Sequence, residues 1–379
     1  MKNFKIKDYL RDLETVVNID SGHYYEEGAN RTANFFKEKY DALGLKTEIT
    51  YKDGFKACPF LTVTNTDDEH YDVLLVGHMD TVFAPGTAAE RPFSIDEKGR
   101  GRGPGVIDCK GGDVLLYYLI KGMLEENEIG FKFCIAMNSD EEKRSDYSRD
   151  RFDMLSKKSD RCFIFEPGRA NGEFVSLRKG GANYLVHCKG IPAHSGVCPE
   201  KGASAVLELS KWVQRLYERF FILEEGTTIN IGRFDGGADN GSVPEYAEFT
   251  ISLRCMTMKR FEEIDAEIMD MENHPFDPRC KITVDKLVVR PPMCPDEKTN
   301  AVIAVMEEAG RELGQPVVML STGGGSDGNF IAHNDCPTVD ACGPCGTFVH
   351  TVDEYLDIDS VEPRLDIMRL TLMKLFPRK

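Results

Sequence analysis

The sequence is short of positive charge, of tryptophan and of uninterrupted apolar stretches. Lys plus Arg number 47 against 63 Asp plus Glu, a formal net charge of −16. The resulting field repels phosphates, which excludes a general nucleic-acid binder or a protein of anionic membrane surfaces. An anionic small substrate stays open, because a cleft can differ in sign from the whole. No run of about 18 apolar residues occurs, so no membrane span is expected. Residues 1–17 lack the apolar stretch of a signal peptide. The 12 cysteines are scattered and do not frame a small secreted domain, so a cytoplasmic, reduced chain is expected. No Gly-Lys-Ser/Thr loop is present, and Gly103-Pro104-Gly105 lacks the third glycine of a dinucleotide loop, which argues against nucleotide folds. No internal repeat or low-complexity tract stands out.

What is present is a globular composition: 379 residues, 41% hydrophobic and 29% charged, enough for two or three domains of about 150 residues. Helical spacing runs through 7–18 and 29–43, and Gly44 is a helix stop. Short β-like runs begin at Lys46, Pro59 and Tyr71. The last has a continuous apolar core from Val73 to Val76, as in a strand covered on both faces. A buried helix is expected from Lys110, and further central strands from Phe131 and Asp160. Strands alternating with helices predict an α/β sheet covered on both faces. The pattern changes near residue 175. The segment 175–190 alternates, a helix is expected at 201–221, strands at 227–234 and 246–255, a helix at 259–272 and a strand at 281–289. That order suggests a small α+β domain of ferredoxin-like kind. The only tryptophan, Trp212, reads as part of a helix face packed inside it. Near Arg290–Pro292 the chain returns to the first domain, with a helix at 298–314, a Gly-rich loop at 323–328, a strand near 337–341 and a final helix at 359–375.

Five clusters carry chemistry. His78 and Asp80 follow the strand 73–77, where ligands of open α/β sheets bind. An imidazole there can hold a metal, with a carboxylate fixing its tautomer. Asp108 lies in a glycine-rich turn before a helix, where an N-cap would serve equally well. Glu141 and Glu142 end the strand 131–138, and two adjacent ionised acids are costly unless a metal takes one. Glu166 follows the strand from Asp160, and His350 comes late in the chain. Each is weak alone. Together they place one His, one Asp, two Glu and one His after strands of one sheet, with a spare Glu beside one of them. Nitrogen and oxygen ligands without a thiolate suit two divalent ions sharing a carboxylate, a site that activates water for hydrolysis.

With these clusters in view, the chain resembles the co-catalytic zinc metallopeptidase family of aminoacylase, acetylornithine deacetylase, succinyl-diaminopimelate desuccinylase and carboxypeptidase G. The likeness is greatest to glutamate carboxypeptidases of the carboxypeptidase G type. The segments that carry it are GHMDTVF (77–83), GPGVIDCKGG (103–112), NSDEEKRSDYSRD (138–150), FEPG (165–168), GIPAHSG (190–196), TGGGSDGNF (322–330) and GPCGTFVHTVDEY (343–355), and they span nearly the whole chain. The resemblance implies a zinc-peptidase-like α/β catalytic domain with a covered mixed sheet (1–176 and 289–379), interrupted by a smaller α+β ferredoxin-like dimerisation or lid domain (177–288). It implies a metal held by His78 and Glu166 and another held by His350 and Glu142, most simply two zinc ions, with Asp108 bridging. Asp80 orients His78, Glu141 is the general base and then acid, and His194 stabilises the oxyanion. Asn240, Arg254, Arg290 and the loop Gly323–Gly325, with Gly324 and Gly325, are expected to contact substrate. Arginine suits a carboxylate because it is a planar bidentate donor. A cis peptide at Asp108–Cys109 is implied, as is a homodimer through the lid. The expected reaction is hydrolysis of an amide or peptide bond next to a free carboxylate, releasing glutamate or a related amino acid. The substrate is a small peptide or an N-acyl amino acid. Dipeptidase, aminopeptidase and N-acyl-amino-acid deacylase activities are alternatives on the same metal site. A binding protein without catalysis would be expected to lack Glu141 or a ligand. Cys342 and Cys345 have thioredoxin-type spacing, so a dithiol redox role is a remote alternative. Lys143-Arg144 replaces a Gly-rich continuation, and Arg144 is bulky for that position, which leaves the geometry of the loop open.

Overall fold

The computed structural model describes residues 3–378. The chain divides into two compact units. The larger comprises Met1–Ser176, Pro295–Ser321 and Ser326–Lys379; the smaller comprises Leu177–Cys294 and Thr322–Gly325.

The larger unit is built on a six-stranded mixed sheet in the order Lys46–Thr50, Phe60–Thr64, Phe133–Asn138, Val73–His78, Cys162–Ile164, Thr338–Val339. The first two pairings are antiparallel and the remaining three parallel. Every residue of Val73–His78 and of Phe133–Asn138 is buried. Alternation decides which way each side chain goes. Val73, Leu75, Phe133, Ile135, Met137 and Phe163 join the main core with the helices Ile6–Val17, Glu26–Asp41, Lys110–Glu125 and Val361–Leu375. Leu74, Val76, Cys134, Ala136, Cys162 and Ile164 join a second cluster with Phe152, Leu155 and Ile331. The sheet is therefore covered on both faces, which is why its central strands read as unbroken apolar runs.

A second, smaller sheet of four short strands lies in the same unit, in the order Gly346–Thr347, Tyr355–Asp357, Arg100–Arg102, Ser94–Ile95. This sheet was not anticipated, and it corrects one expectation. His78, Glu141, Glu142 and Glu166 come from strand ends of the six-stranded sheet, whereas Asp108 and His350 come from segments that follow strands of the small one. Pairings of two or three residues leave no period in the sequence. The helix Lys110–Glu125 then ties the two sources together. A side chain at Gly112 would collide with the backbone carbonyl of Phe165, so glycine lets the start of this helix touch the segment that leads from Cys162–Ile164 to Glu166.

The smaller unit is a four-stranded antiparallel sheet, Thr228–Gly236, Tyr246–Cys255, Gly180–Lys189, Lys281–Arg290, with helices Ala205–Phe220 and Met258–Asp270. Its core gathers Tyr184, Val186, Phe249, Ile251, Ile264, Ile282 and Trp212. Ser204 and Thr257 cap the two helices through their side chains. The alternation at 175–190 resolves into two strands, Phe174–Arg178 and Gly180–Lys189, of which only the second belongs to this sheet.

Candidate metal centre

Within the larger unit, the structure brings His78, Asp108, Glu141, Glu142, Glu166 and His350 together in three overlapping groups of metal-ligating atoms, one of which also includes the Cys109 thiol. Asp108 is the centre of the arrangement. Its Oδ1 lies 3.1 Å from His78 Nε2, and that nitrogen lies 3.5 Å from Glu166 Oε1. Its Oδ2 lies 3.2 Å from His350 Nε2, which lies 3.2 Å from Glu142 Oε2. One carboxylate thus faces two His–Glu pairs with a different oxygen each. The Asp108–Cys109 peptide is cis. The N-cap of the following helix is Cys109, with no side-chain cap, so Asp108 is not a capping residue.

Asp80 reaches further than orienting one ring. Its Oδ1 lies 3.3 Å from His78 Nδ1. The two oxygens also accept from the backbone N–H groups of Glu141, at 3.2 Å, and Glu142, at 3.0 Å. One buried carboxylate therefore sets both the ring on one strand end and the turn on the next.

The electrostatics call for cations. Among the described residues, Asp80, Asp108, Glu141, Glu142 and Glu166 converge on the imidazoles of His78 and His350. Like charges at about 4 Å repel by about 4 kcal/mol at an effective dielectric near 20. Burial pushes the Glu142 carboxyl up to about 7. Burial works against a charged His78, but Cys109, Asp108, Asp80 and Glu166 outweigh it and hold the ring well above its ordinary value. Hydrogen bonds to Asp108 and Glu142 carry His350 up to about 10. Glu142 Oε1 is buried without a hydrogen-bond partner, an acceptor left open for an ion. The donor set fits two divalent metals: two imidazoles and carboxylates from three residues, one of them shared.

Several supporting residues had not been singled out. Glu354 is buried and accepts from the backbone N–H groups of Gly105, at 3.1 Å, Ile107, at 3.0 Å, and Asp108, at 3.1 Å. It fixes the turn that carries Asp108. Its segment had been noted, but a side chain that serves backbone donors leaves no pattern. Asp113 is fully buried beneath Gly77, where any side chain would strike its Oδ1. Burial holds its carboxyl well above the ordinary range. An acid inside the apolar run that continues from Val114 was the available signal. Asn138 donates to Asp327 Oδ2 at 2.9 Å and to Ser148 Oγ at 3.0 Å, and Ser145 donates to Asp327 Oδ1. These bonds anchor the loop after Glu142. Arg144 and Ser145 enter the left-handed region at φ +70° and +59°, so the loop keeps a conformation glycine would favour without having glycine there.

The remaining expected residues lie in the smaller unit. The segment around His194 is laced to that around Asn240: Ser195 N donates to Gly241 O at 3.0 Å, and Val243 N to Ala193 O at 2.8 Å. His194 Nδ1 accepts from the backbone N–H of Gly196, at 3.1 Å, and Val197, at 3.2 Å. Two donors on one nitrogen place the ring proton on the other, so the exposed ring offers Nε2–H. Arg254 and Arg290 pair in register with Gly181 from opposite sides. A Cβ at Gly181 would come 2.9 Å from Arg254 Nη1. Cys342 and Cys345 are free and buried, and burial pushes both thiols up. A nucleophilic dithiol needs the opposite shift. No helix among the described residues is long and apolar enough to cross a membrane.

Comparison with known proteins agrees with this geometry. Residues 74–374 match the peptidase family M20/M25/M40. Carboxypeptidase G2 of Pseudomonas sp. (strain RS-16) is 29% identical over 378 residues, covering 97% of this chain and 89% of the relative. The aminopeptidase PepT of Bacillus cereus superposes with a TM-score of 0.76 at 21% identity, covering 98% of this chain and 99% of that one. The M20 family metallo-carboxypeptidase Sso-CP2 of Sulfolobus solfataricus gives 0.71 at 19% identity, covering 97% and 99%. With the family matched across both the catalytic segments and the smaller unit, this chain belongs to peptidase family M20/M25/M40, a family of metallopeptidases.

Proposed function

We propose that the chain is a two-zinc carboxypeptidase that releases glutamate or a related amino acid from a small peptide or N-acyl amino acid. The observation that carries the metal half of this reading is the division of the Asp108 oxygens between two His–Glu pairs. In the role proposed here, His78 and Glu166 hold one ion, His350 and Glu142 the other, and Asp108 both. Bound zinc would polarise the scissile carbonyl and acidify a water.

The other steps belong to this chain's residues. Glu141 sits in the same group of atoms as His78 and Glu166, on a turn clamped by Asp80. It takes the proton of the attacking water and hands it to the leaving amine. His194, with its proton on Nε2, is the donor suited to an oxygen gaining charge. Arg254 and Arg290 on either side of Gly181 favour a substrate with a free carboxylate, and the Gly324–Gly325 backbone and Asn240 complete the contacts. Homodimer formation through the smaller unit is part of the reading, and light scattering tests it.

The decisive experiment is product detection by mass spectrometry on peptidyl-glutamates, dipeptides, and N-acetyl and N-succinyl amino acids, with zinc-loaded and chelated protein side by side. Chelator-sensitive glutamate release is the expected result. Cleavage confined to dipeptides or N-acyl amino acids replaces the carboxypeptidase assignment with one of those activities, and no cleavage by loaded protein overturns the reading. Glu141→Gln is expected to lower kcat by about 10²–10⁴-fold while retaining zinc.

A further inference from the structure

Arg178 is an arginine with 4% exposure, at the end of the strand Phe174–Arg178, which lies outside the four-stranded sheet that carries Arg254 and Arg290. Burying a guanidinium is costly unless acceptors surround it. Here the acceptors are two successive backbone carbonyls. Nη1 lies 3.3 Å from Gly324 O and 3.3 Å from Gly325 O. The neighbouring backbone fixes the same loop at its start, where Lys179 N donates to Thr322 O at 3.0 Å. Arg178 itself is held by a reciprocal pair of backbone bonds with Met293, each 3.0 Å.

The loop is in turn flush against Arg290. A Cβ at Gly325 would come 2.6 Å from both Cδ and Nη1 of Arg290. Any rotation of the Gly324–Gly325 peptides would move atoms into that side chain or open a gap beside it. Two glycines have little intrinsic preference for one conformation, so the loop needs an external fix, and Nη1 of Arg178 supplies it by reaching two consecutive peptides.

We propose that Arg178 is a positioning residue. It locks the Gly324–Gly325 backbone, and that backbone forms the wall that holds the Arg290 guanidinium in the attitude required to grip a substrate carboxylate. The inference rests on the proposed reading of Arg254 and Arg290 as the carboxylate grip. It adds that carboxylate selectivity depends on a buried residue that does not touch the substrate.

The test compares a peptidyl-glutamate with its C-terminal α-carboxamide, using the zinc-loaded full chain and the variants Arg290→Met, Arg178→Met and Arg178→Lys. For Arg178→Met the expected result is a KM for the carboxylate substrate raised about tenfold or more, with kcat nearly kept and the carboxamide unaffected. Arg178→Lys, which keeps the charge but not the planar guanidinium or its reach, recovers only part of the loss. Calorimetric binding of free glutamate against isoglutamine reads the same selectivity without turnover, and covers a variant with low activity. A merely structural role lowers kcat and thermal stability for both substrates alike, and that outcome overturns the proposal. So does wild-type selectivity in both Arg178 variants while Arg290→Met loses it, a result that leaves the carboxylate grip standing. If Arg290→Met also keeps selectivity, the grip itself is wrong and both readings fall.

Discussion

At the residue scale, the side chains that hold the proposed ligands matter as much as the ligands themselves. Glu354 satisfies three buried backbone donors at once. Glu354→Ala strands them, and each unpaired buried donor costs about 1–3 kcal/mol. A loss of roughly 3 kcal/mol or more is expected in urea unfolding, together with weaker metal retention. Arg144 sits in the left-handed region at φ +70°, where a side chain costs about 1 kcal/mol. Arg144→Gly is therefore expected to stabilise the protein by about that amount in the same assay. The gathering of His78, Asp108, Glu142, Glu166 and His350 was legible from residue type, because a proposed metal centre draws on few side chains. Glu354 and Asp113 were not. One works on backbone atoms, and the other works by being buried, and neither leaves a chemical signature in a one-dimensional string.

At the element scale, the long strands were legible and the short ones were not. Val73–His78 and Phe133–Asn138 announce themselves because both faces are covered, so the apolar run is continuous. Gly346–Thr347 and Arg100–Arg102 are too short for a period, yet they bring Asp108 and His350 to the site. The elements are joined across the site by Asp80, which links the end of one strand to the turn after another. Asp80→Ala removes the partner of the His78 ring and both acceptors of the 141–142 turn. The expected outcome is a loss of about 10–100-fold in metal affinity, measured by competition with a chromogenic chelator. An unchanged affinity would assign Asp80 to folding alone.

At the scale of the whole molecule, the core has a titration of its own. Tyr9 and Tyr40 are fully buried, and burial holds their hydroxyl protons well above the ordinary value near 10. Burial carries Tyr117 up to about 12. The folded state therefore keeps protons that the unfolded chain releases from about pH 10. The stability these groups contribute is intact below pH 10 and declines as pH rises beyond it. Alkaline titration followed by tyrosinate absorbance is expected to show a delayed, cooperative step that coincides with loss of far-ultraviolet circular dichroism. Smooth ionisation near pH 10 without unfolding would contradict the burial.

The path of the chain through its two units also orders events during synthesis. His78, Asp108, Glu142 and Glu166 all precede Leu177, where the chain enters the smaller unit, whereas His350 follows its return at Pro295. A ribosome adds residues at about 5–20 per second, and domains fold as units while it does so. For an interval on the order of ten seconds or more, the nascent chain holds the residues of the Asp108 Oδ1 pair but neither His350 nor the later segments that the larger unit needs to fold. The returning stretch is thus the one that would close the proposed centre, and a chain stopped short of it would carry Glu141, the proposed base, with half of the proposed ligand set.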